Sequence, residues 1–181
     1  MKTQFVSKRR FLVGSVAALC GFAGVAAFGQ TAERKLRVGV YDSRAIAVAY
    51  CNSPEFQKSL KPIQADYEKA KQAKNEKRMK EIDAMMKAKQ RRQHEQGFST
   101  GSVAGIMAGI KNALPSVAQK ARVDVIVSKW ELNYQSPGLE VVDVTDELVA
   151  LFKPSEKALG WVKDLRTKQP LPIEEITDDM D

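Results

Sequence analysis

The stretch KLRVGVYD, residues 35–42, decides the fold, because it predicts the strand on which the rest of the chain is arranged. Its aliphatic residues, Leu36, Val38 and Val40, occupy every second position, which is the pattern of a half-buried strand. We predict strands near residues 35–41, 123–128 and 130–134. Strands this few and this short cannot bury a substantial core alone, so we expect the chain to self-associate.

The sequence pattern predicts helices for the residues between the first two predicted strands. Ser53 followed by Pro54 is a good helix start, because serine caps the helix and proline suits its first position. Two apolar seams follow with alternating spacings of four and three, which is typical of helices that pack together. We expect these seams to pair as the base of an antiparallel helical hairpin over about residues 54–121. The first seam is Phe56, Leu60, Ile63, Tyr67 and Ala70, and the second is Val103, Met107, Ile110, Leu114, Val117 and Ala121.

The segment between the seams is strongly basic, with nine Lys or Arg and three Asp or Glu in residues 71–93. Its apolar residues are out of phase with the first seam. Met79 follows Ala70 by nine residues, and at about 100° per residue it lies on the opposite side of a continuous helix. Either the helix breaks near Lys74 and Asn75, or the methionines face another partner. The pattern does not place the tip of the hairpin.

We interpret the basic segment as an arm that binds client proteins. Methionine adapts to irregular apolar surfaces, and Lys and Arg attract acidic chains or anionic lipid head groups from a distance. Two alternatives stay open: the apolar residues pack inside the hairpin, or the basic residues form only a solvated face. The residues assigned to client binding are Lys77, Arg78, Met79, Lys80, Ile82, Met85, Met86, Lys87, Arg91 and Arg92.

The first 29 residues predict a signal peptide, because four Lys or Arg precede an acid-free apolar run at residues 11–28. An uncleaved anchor is the alternative. Cleavage would lower the net charge from +7 to +3, since the segment holds four basic and no acidic residues. We therefore expect a periplasmic protein that does not bind nucleic acid. Cys51 would remain as a single thiol without an intrachain disulfide partner.

The C-terminal part contains a further helix and an acidic end. Residues 139–152 predict a short extended piece followed by a helix, with Thr145 as a candidate N-cap. Residues 153–181 form a C-terminal extension that we expect to be acidic and partly disordered. Its last eight residues hold five acids and no base.

Patterns typical of catalysis are missing from the sequence. His94 is the only histidine, and nothing pairs Cys51 or a serine with a base and an orienting group. Gly97, Gly101, Gly105 and Gly109 lack the lysine and hydroxyl residue that end a phosphate-binding loop, and the four-residue spacing from Gly101 to Gly109 indicates close helix approach instead. We therefore expect that the protein is not an enzyme and that it has no catalytic residue, cofactor or metal.

Residues 113–149, ALPSVAQKARVDVIVSKWELNYQSPGLEVVDVTDELV, resemble the C-terminal segment of the OmpH/Skp family of periplasmic chaperones. They carry its Tyr-x-Ser element at Tyr134 and Ser136, and its Asp-hydrophobic-Thr element at Asp143 and Thr145. Residues 35–50 resemble the family's first strand, so the resemblance covers about residues 35–152. It implies a homotrimer of α+β chains, with a small β-sheet body and helical hairpins that project around a cavity for unfolded outer-membrane proteins.

The resemblance and the basic arm together lead to one functional expectation. We expect an ATP-independent periplasmic holdase that binds unfolded outer-membrane proteins through the arm. An anionic lipid or lipopolysaccharide surface is a second expected partner. The alternative is a non-enzymatic envelope scaffold or adaptor that docks a folded partner.

Overall fold

The computed structural model describes residues 35–177. The predicted signal peptide and the last four residues of the acidic end lie outside the described residues. The strands are β1 (Arg37–Tyr41), β2 (Val125–Ser128) and β3 (Glu140–Asp143). The helices are α1 (Ser43–Cys51), α2 (Pro54–Gln72), α3 (Glu76–Phe98), α4 (Ala104–Gly109), α5 (Leu114–Ala121), α6 (Thr145–Ala150) and α7 (Glu156–Leu165), and a 3₁₀ turn covers Ile173–Glu175.

The three strands form a parallel sheet in the order β2-β1-β3. Val38 of β1 is in register with Val125 of β2 and with Val141 of β3. Parallel neighbours need long crossovers, and α1 to α5 supply the one from β1 to β2. The chain is α+β, but the architecture predicted for it, a sheet body with one long antiparallel helical hairpin, is wrong.

The third strand was predicted in the wrong place. After β2 the chain turns at Trp130, whose backbone N–H donates to Ser128 Oγ at 3.3 Å and whose indole Nε1 donates to Asp42 at 3.1 Å. These bonds anchor the turn, and Tyr134 lies exposed in the loop that follows. The alternation of large side chains at residues 130–134 therefore reflects an anchored loop, and β3 is the short extended piece at residues 140–143.

The prediction that the two seams pair with each other in a hairpin is wrong. The second seam packs into the body, where Val103 and Val117 join the core and the other four residues of the seam pack against it. The first seam packs against α3, which runs antiparallel to α2 after a break at residues 73–75. Lys74 has a positive φ of 52°, and the Asn75 side chain accepts from Arg78 N at 3.0 Å, so the chain ends one helix and caps the next.

The core lies between the sheet and the helices α1, α6 and α7. Ala45, Ile46 and Leu148 are fully buried in it, and Tyr41 reaches it from β1. Gly39 of β1 also lies on this face of the sheet. A Cβ at this position would lie 3.0 Å from Val123 Cγ2, so any larger residue would force Val123 to shift.

The alternating aliphatic residues of β1 point to the opposite face of the sheet, away from this core. By strand register that face carries Leu36, Val38, Val40, Val125, Val127 and Val141. We call these six residues the valine face. Leu36 is 53% exposed and Val125 is 47% exposed, whereas Val38 on the central strand is only 6% exposed and the other three residues are half-buried. The core cluster thus packs on the face of Tyr41, and the exposed apolar side chains of the sheet, Leu36 and Val125, lie on the opposite face.

The described part of the C-terminal extension folds back onto α1 and α3. Val162 of α7 is buried in the core cluster, and Ile176 is buried beyond the 3₁₀ turn. Leu171 N donates to Phe98 O at 2.9 Å, which fixes the extension to the end of α3.

Candidate client-binding surface on the two-helix arm

The two-helix arm, formed by α2 and α3, has little apolar contact between its helices. Phe56, Ala70 and Ile82 are its only buried hydrophobic residues. The remaining residues of the first seam, Leu60, Ile63 and Tyr67, line an open cleft of about 270 Å³ between the helices, and Met86 lines it from α3. The arm is therefore a loosely packed pair that depends on a few contacts.

Polar contacts hold the two helices together near the tip and the base. Arg78 on α3 donates to Asp66 on α2 at 2.6 Å, and within α3 it donates to Glu81 at 2.9 Å. At the base, Lys89 Nζ lies 4.9 Å from the centre of the Phe56 ring. Surface ion pairs contribute little to stability, so these contacts set the orientation of the helices more than their stability.

All ten residues predicted to bind clients lie on α3, and the structure divides them by face. Ile82 is buried against α2, and Met79 and Met86 are half-buried there. The positions of these three residues fit the alternative that the apolar residues of the segment pack between the two helices. Met85 is 46% exposed. The remaining six are basic and exposed, namely Lys77, Arg78, Lys80, Lys87, Arg91 and Arg92.

Four of the exposed residues form a continuous stripe. At about 100° per residue, Lys77, Lys80, Lys87 and Arg91 fall within about 80° of one helix face, on the side opposite Ile82. We call these four residues the basic stripe. Arg91 is also paired with Glu95 at 3.3 Å. The stripe faces away from α2, and residues 54–98 hold twelve Lys or Arg and seven Asp or Glu, a net charge of +5.

Pattern analysis missed a buried ion cluster at the carboxyl end of β1. Asp42 accepts from Arg44 Nε at 3.1 Å and from Arg44 Nη2 at 2.9 Å, and Lys129 Nζ lies 2.8 Å away. Burial by itself raises the pKa of the Asp42 carboxyl, but hydrogen bonds from Arg44, Lys129 and Trp130 outweigh it and hold the pKa at about 2. The sequence signal that could have indicated this cluster is the presence of Asp42 and Arg44 directly after a predicted strand.

The four residues of the family elements are divided between this cluster and an exposed loop. Thr145 Oγ1 accepts from Asp42 N at 3.0 Å, and Asp143 accepts from Thr145 N at 2.9 Å. Thr145 is therefore the first residue of α6, and it does not act as the predicted N-cap. Tyr134 is 78% exposed, and Ser136 is exposed in the same loop.

Cys51 does not have the environment of a reactive thiol. It is half-buried at the end of α1 and accepts from Gln93 Nε2 at 3.3 Å. Burial raises the pKa of the thiol, against smaller opposite effects of the Gln93 hydrogen bond and the Lys89 charge. The thiol is therefore protonated near neutral pH.

Within residues 35–177, His, Cys, Asp and Glu side chains form no group of three or more suited to hold a metal ion. The helices in this range are each too short or too polar to cross a membrane. Comparison of the chain with protein-family models, curated proteins and solved structures found no match.

Proposed function

We propose that the protein is an ATP-independent holdase chaperone that binds unfolded, acidic polypeptides through the basic stripe of its two-helix arm. The observation that carries the proposal is the position of the stripe, on the face of α3 that packs against nothing on α2. Charges placed there attract an oppositely charged chain before contact is made. Met85, exposed on another face of the same helix, offers a flexible apolar contact once a client has arrived.

The loose packing of the arm supports the same proposal. A client of undefined shape is held best by a surface that adapts to it, and the open cleft between α2 and α3 leaves side chains room to rearrange. The arm also carries few apolar residues on its outside, so it stays soluble without a client. These properties fit transient holding better than tight recognition of one shape.

The location and the clients follow from the sequence. The signal-peptide pattern supports a periplasmic location, and the OmpH/Skp resemblance supports unfolded outer-membrane proteins as the clients. Anionic lipid or lipopolysaccharide surfaces would meet the same stripe through the same charges. The resemblance also proposes a homotrimer, and the exposed Leu36 and Val125 of the valine face support self-association, because a second copy can cover them.

The test of this function is suppression of aggregation by matched charge variants. A denatured outer-membrane protein of acidic pI is diluted with equimolar wild type, with Lys77→Glu/Lys80→Glu/Lys87→Glu, or with Lys111→Glu/Lys120→Glu/Lys163→Glu. Both variants change the net charge equally, and all six lysines are exposed. We expect wild type and the second variant to keep the client soluble and the first to fail, and added salt to weaken wild type because it screens exposed charges.

Equal suppression by the two variants would remove the basic stripe from the mechanism. If wild type suppresses no aggregation but binds one folded envelope protein saturably, the adaptor function is correct and the holdase function is wrong.

A further inference from the structure

A second surface, away from the basic stripe, is a groove between α1, α3 and α7. Six apolar residues line it, namely Ala47, Val48, Phe98, Trp161, Leu165 and Leu171. Its volume is about 720 Å³, within the range of about 300–1,000 Å³ common for small-molecule sites. One wall comes from the C-terminal extension, which the OmpH/Skp resemblance does not cover. We call it the extension groove.

Backbone hydrogen bonds hold the walls of the extension groove in place. Arg44 Nη2, from α1, donates to the carbonyl oxygen of Lys168 at 2.9 Å and to that of Leu165 at 3.4 Å. On the other side, Leu171 N donates to Phe98 O at 2.9 Å. Because these bonds join α1 and α3 to the extension, the groove is preformed.

The walls leave apolar side chains in contact with water. Phe98 and Leu171 are each 37% exposed, and Trp161 is 46% exposed. Burying such surface is worth about 25 cal/mol per Å². An apolar ligand in the groove would therefore gain free energy from all three side chains.

Three charged residues line the groove, and of these Asp164 and Lys168 are exposed while Arg44 is almost fully buried. The Arg44 side chain is only 2% exposed. Its Nε and Nη2 atoms donate to Asp42, whereas within residues 35–177 no acceptor is bonded to its Nη1 atom. The local charge is also unbalanced, because the positive charges of Arg44, Lys129 and Lys168 exceed the negative charges of Asp42 and Asp164 by one. A carboxylate would use the free donor and balance the charge, since guanidinium matches carboxylate geometry.

We propose that the extension groove binds a monocarboxylate with an extended apolar body, such as a medium-chain fatty acid. The carboxylate accepts a hydrogen bond from Arg44 Nη1, and the chain lies along Phe98, Trp161 and Leu171. This site uses none of the residues of the basic stripe, so it stands or falls separately from the holdase function.

The first test compares head groups on the unchanged protein. The full chain is titrated by calorimetry with dodecanoate and with dodecanol, both below the concentrations at which they aggregate. We expect one dodecanoate per chain, bound at least about tenfold more tightly than dodecanol, because hydrogen bonds to charged groups are worth more than neutral ones. Equal affinities, or no binding of dodecanoate, would overturn the proposal.

The second test fills the groove, because Arg44→Ala would leave Asp42 buried without its partner and would disturb the fold. Gly97 lines the groove, and a Cβ there would meet only Val48 Cγ2 at an ordinary 3.9 Å. We expect Gly97→Leu to weaken dodecanoate binding at least about tenfold by occupying the chain's position. Gly109→Leu is the control, since a Cβ at Gly109 meets nothing within 4 Å and Gly109 is not part of the groove. Unchanged affinity in Gly97→Leu, or an equal loss in Gly109→Leu, would refute the site.

Discussion

At the scale of single residues, Asp42 determines how the end of β1 is held. Its carboxylate takes donors from α1 and from the turn after β2, and its backbone N–H donates to Thr145 at the start of α6. Three separate parts of the chain therefore meet at one buried charge. Breaking such an ion pair costs more than forming it contributes, because the remaining charge stays buried.

The depressed pKa of Asp42 predicts a loss of stability in acid. The folded pKa is about 2 against an ordinary value of 3.8, so the unfolded chain binds the proton more readily. The stabilisation is complete above about pH 4 and is lost as the pH falls towards 2, by about 2 kcal/mol in the free energy of unfolding. Urea unfolding at a series of pH values measures this change.

Asp42→Asn provides the comparison for the acid prediction. It should lower the free energy of unfolding at pH 7 by about 3–5 kcal/mol, because Arg44 keeps its buried charge without a counter-charge. Below pH 4 the gap between the variant and the wild type should narrow. A constant gap from pH 7 to pH 2 would show that Asp42 titrates equally in the folded and unfolded chains.

Gly101 supports a second residue-scale prediction. A Cβ at Gly101 would lie 2.7 Å from Glu95 O, whereas one at Gly105 meets nothing within 4 Å. We expect Gly101→Ala to lower the free energy of unfolding by about 1–3 kcal/mol through this backbone clash. Gly105→Ala, in α4, should be neutral or stabilising by up to about 1 kcal/mol, because alanine is the better helix former. Thermal unfolding of both variants checks this, and equal effects would contradict it.

At the scale of elements, the sequence predicted where segments begin better than what they contact. Ser53 caps α2 as expected, with its hydroxyl accepting from Phe56 N at 3.1 Å, and β1 and β2 lie where the apolar patterns placed them. Capping and alternation are local and can be read from neighbouring residues. Periodicity marks the buried face of a helix but does not name its partner, so the second seam was paired with the wrong helix.

The candidate site shows the same division. Composition located the basic segment, and the break at Lys74 and Asn75 was one of the two alternatives that the phase of Met79 left open. At about 100° per residue along α3, Ile82 falls on the buried face of the helix and Lys80 falls on the exposed face. The Asp42 cluster could not be found in this way, because its members lie far apart in sequence and carry no shared period.

The sparse packing of the two-helix arm predicts unequal effects of two neighbouring substitutions. Ile82 is 3% exposed against α2, whereas Met85 is 46% exposed. Ile82→Ala should destabilise the arm by about 2–4 kcal/mol, a typical cost of truncating a buried aliphatic side chain, and Met85→Ala should have little effect. Hydrogen exchange resolved over α2 and α3 measures this, with α1 as an internal reference. Unchanged protection in Ile82→Ala would mean that α2 and α3 do not depend on this contact.

At the scale of the whole molecule, the sheet determines what the chain needs from its surroundings. A parallel sheet is ordinarily buried on both faces, because its crossovers place helices there. Here the described helices pack on the side of the sheet that carries Tyr41, and the six residues of the valine face lie on the opposite side. The alternation in β1 favoured the side of Val38 and Val40 as the one that meets helices, but the core cluster contains Tyr41 from the other side, so alternation alone did not identify the side that packs.

The proposed homotrimer leads to a prediction about the valine face. Val125 lies on the edge strand β2 and is 47% exposed in the single chain, so Val125→Lys should leave the folded chain intact. In an assembly that covers this face, the same lysine would bury an unpaired ammonium group at a cost of several kcal/mol. We therefore expect a trimeric wild type and a monomeric, folded Val125→Lys variant by light scattering. Leu159→Lys is the matched control, since Leu159 is 44% exposed on α7, and it should stay trimeric. A wild type that is monomeric at micromolar concentration, or a trimer that survives Val125→Lys, would show that copies of the chain do not meet through this face.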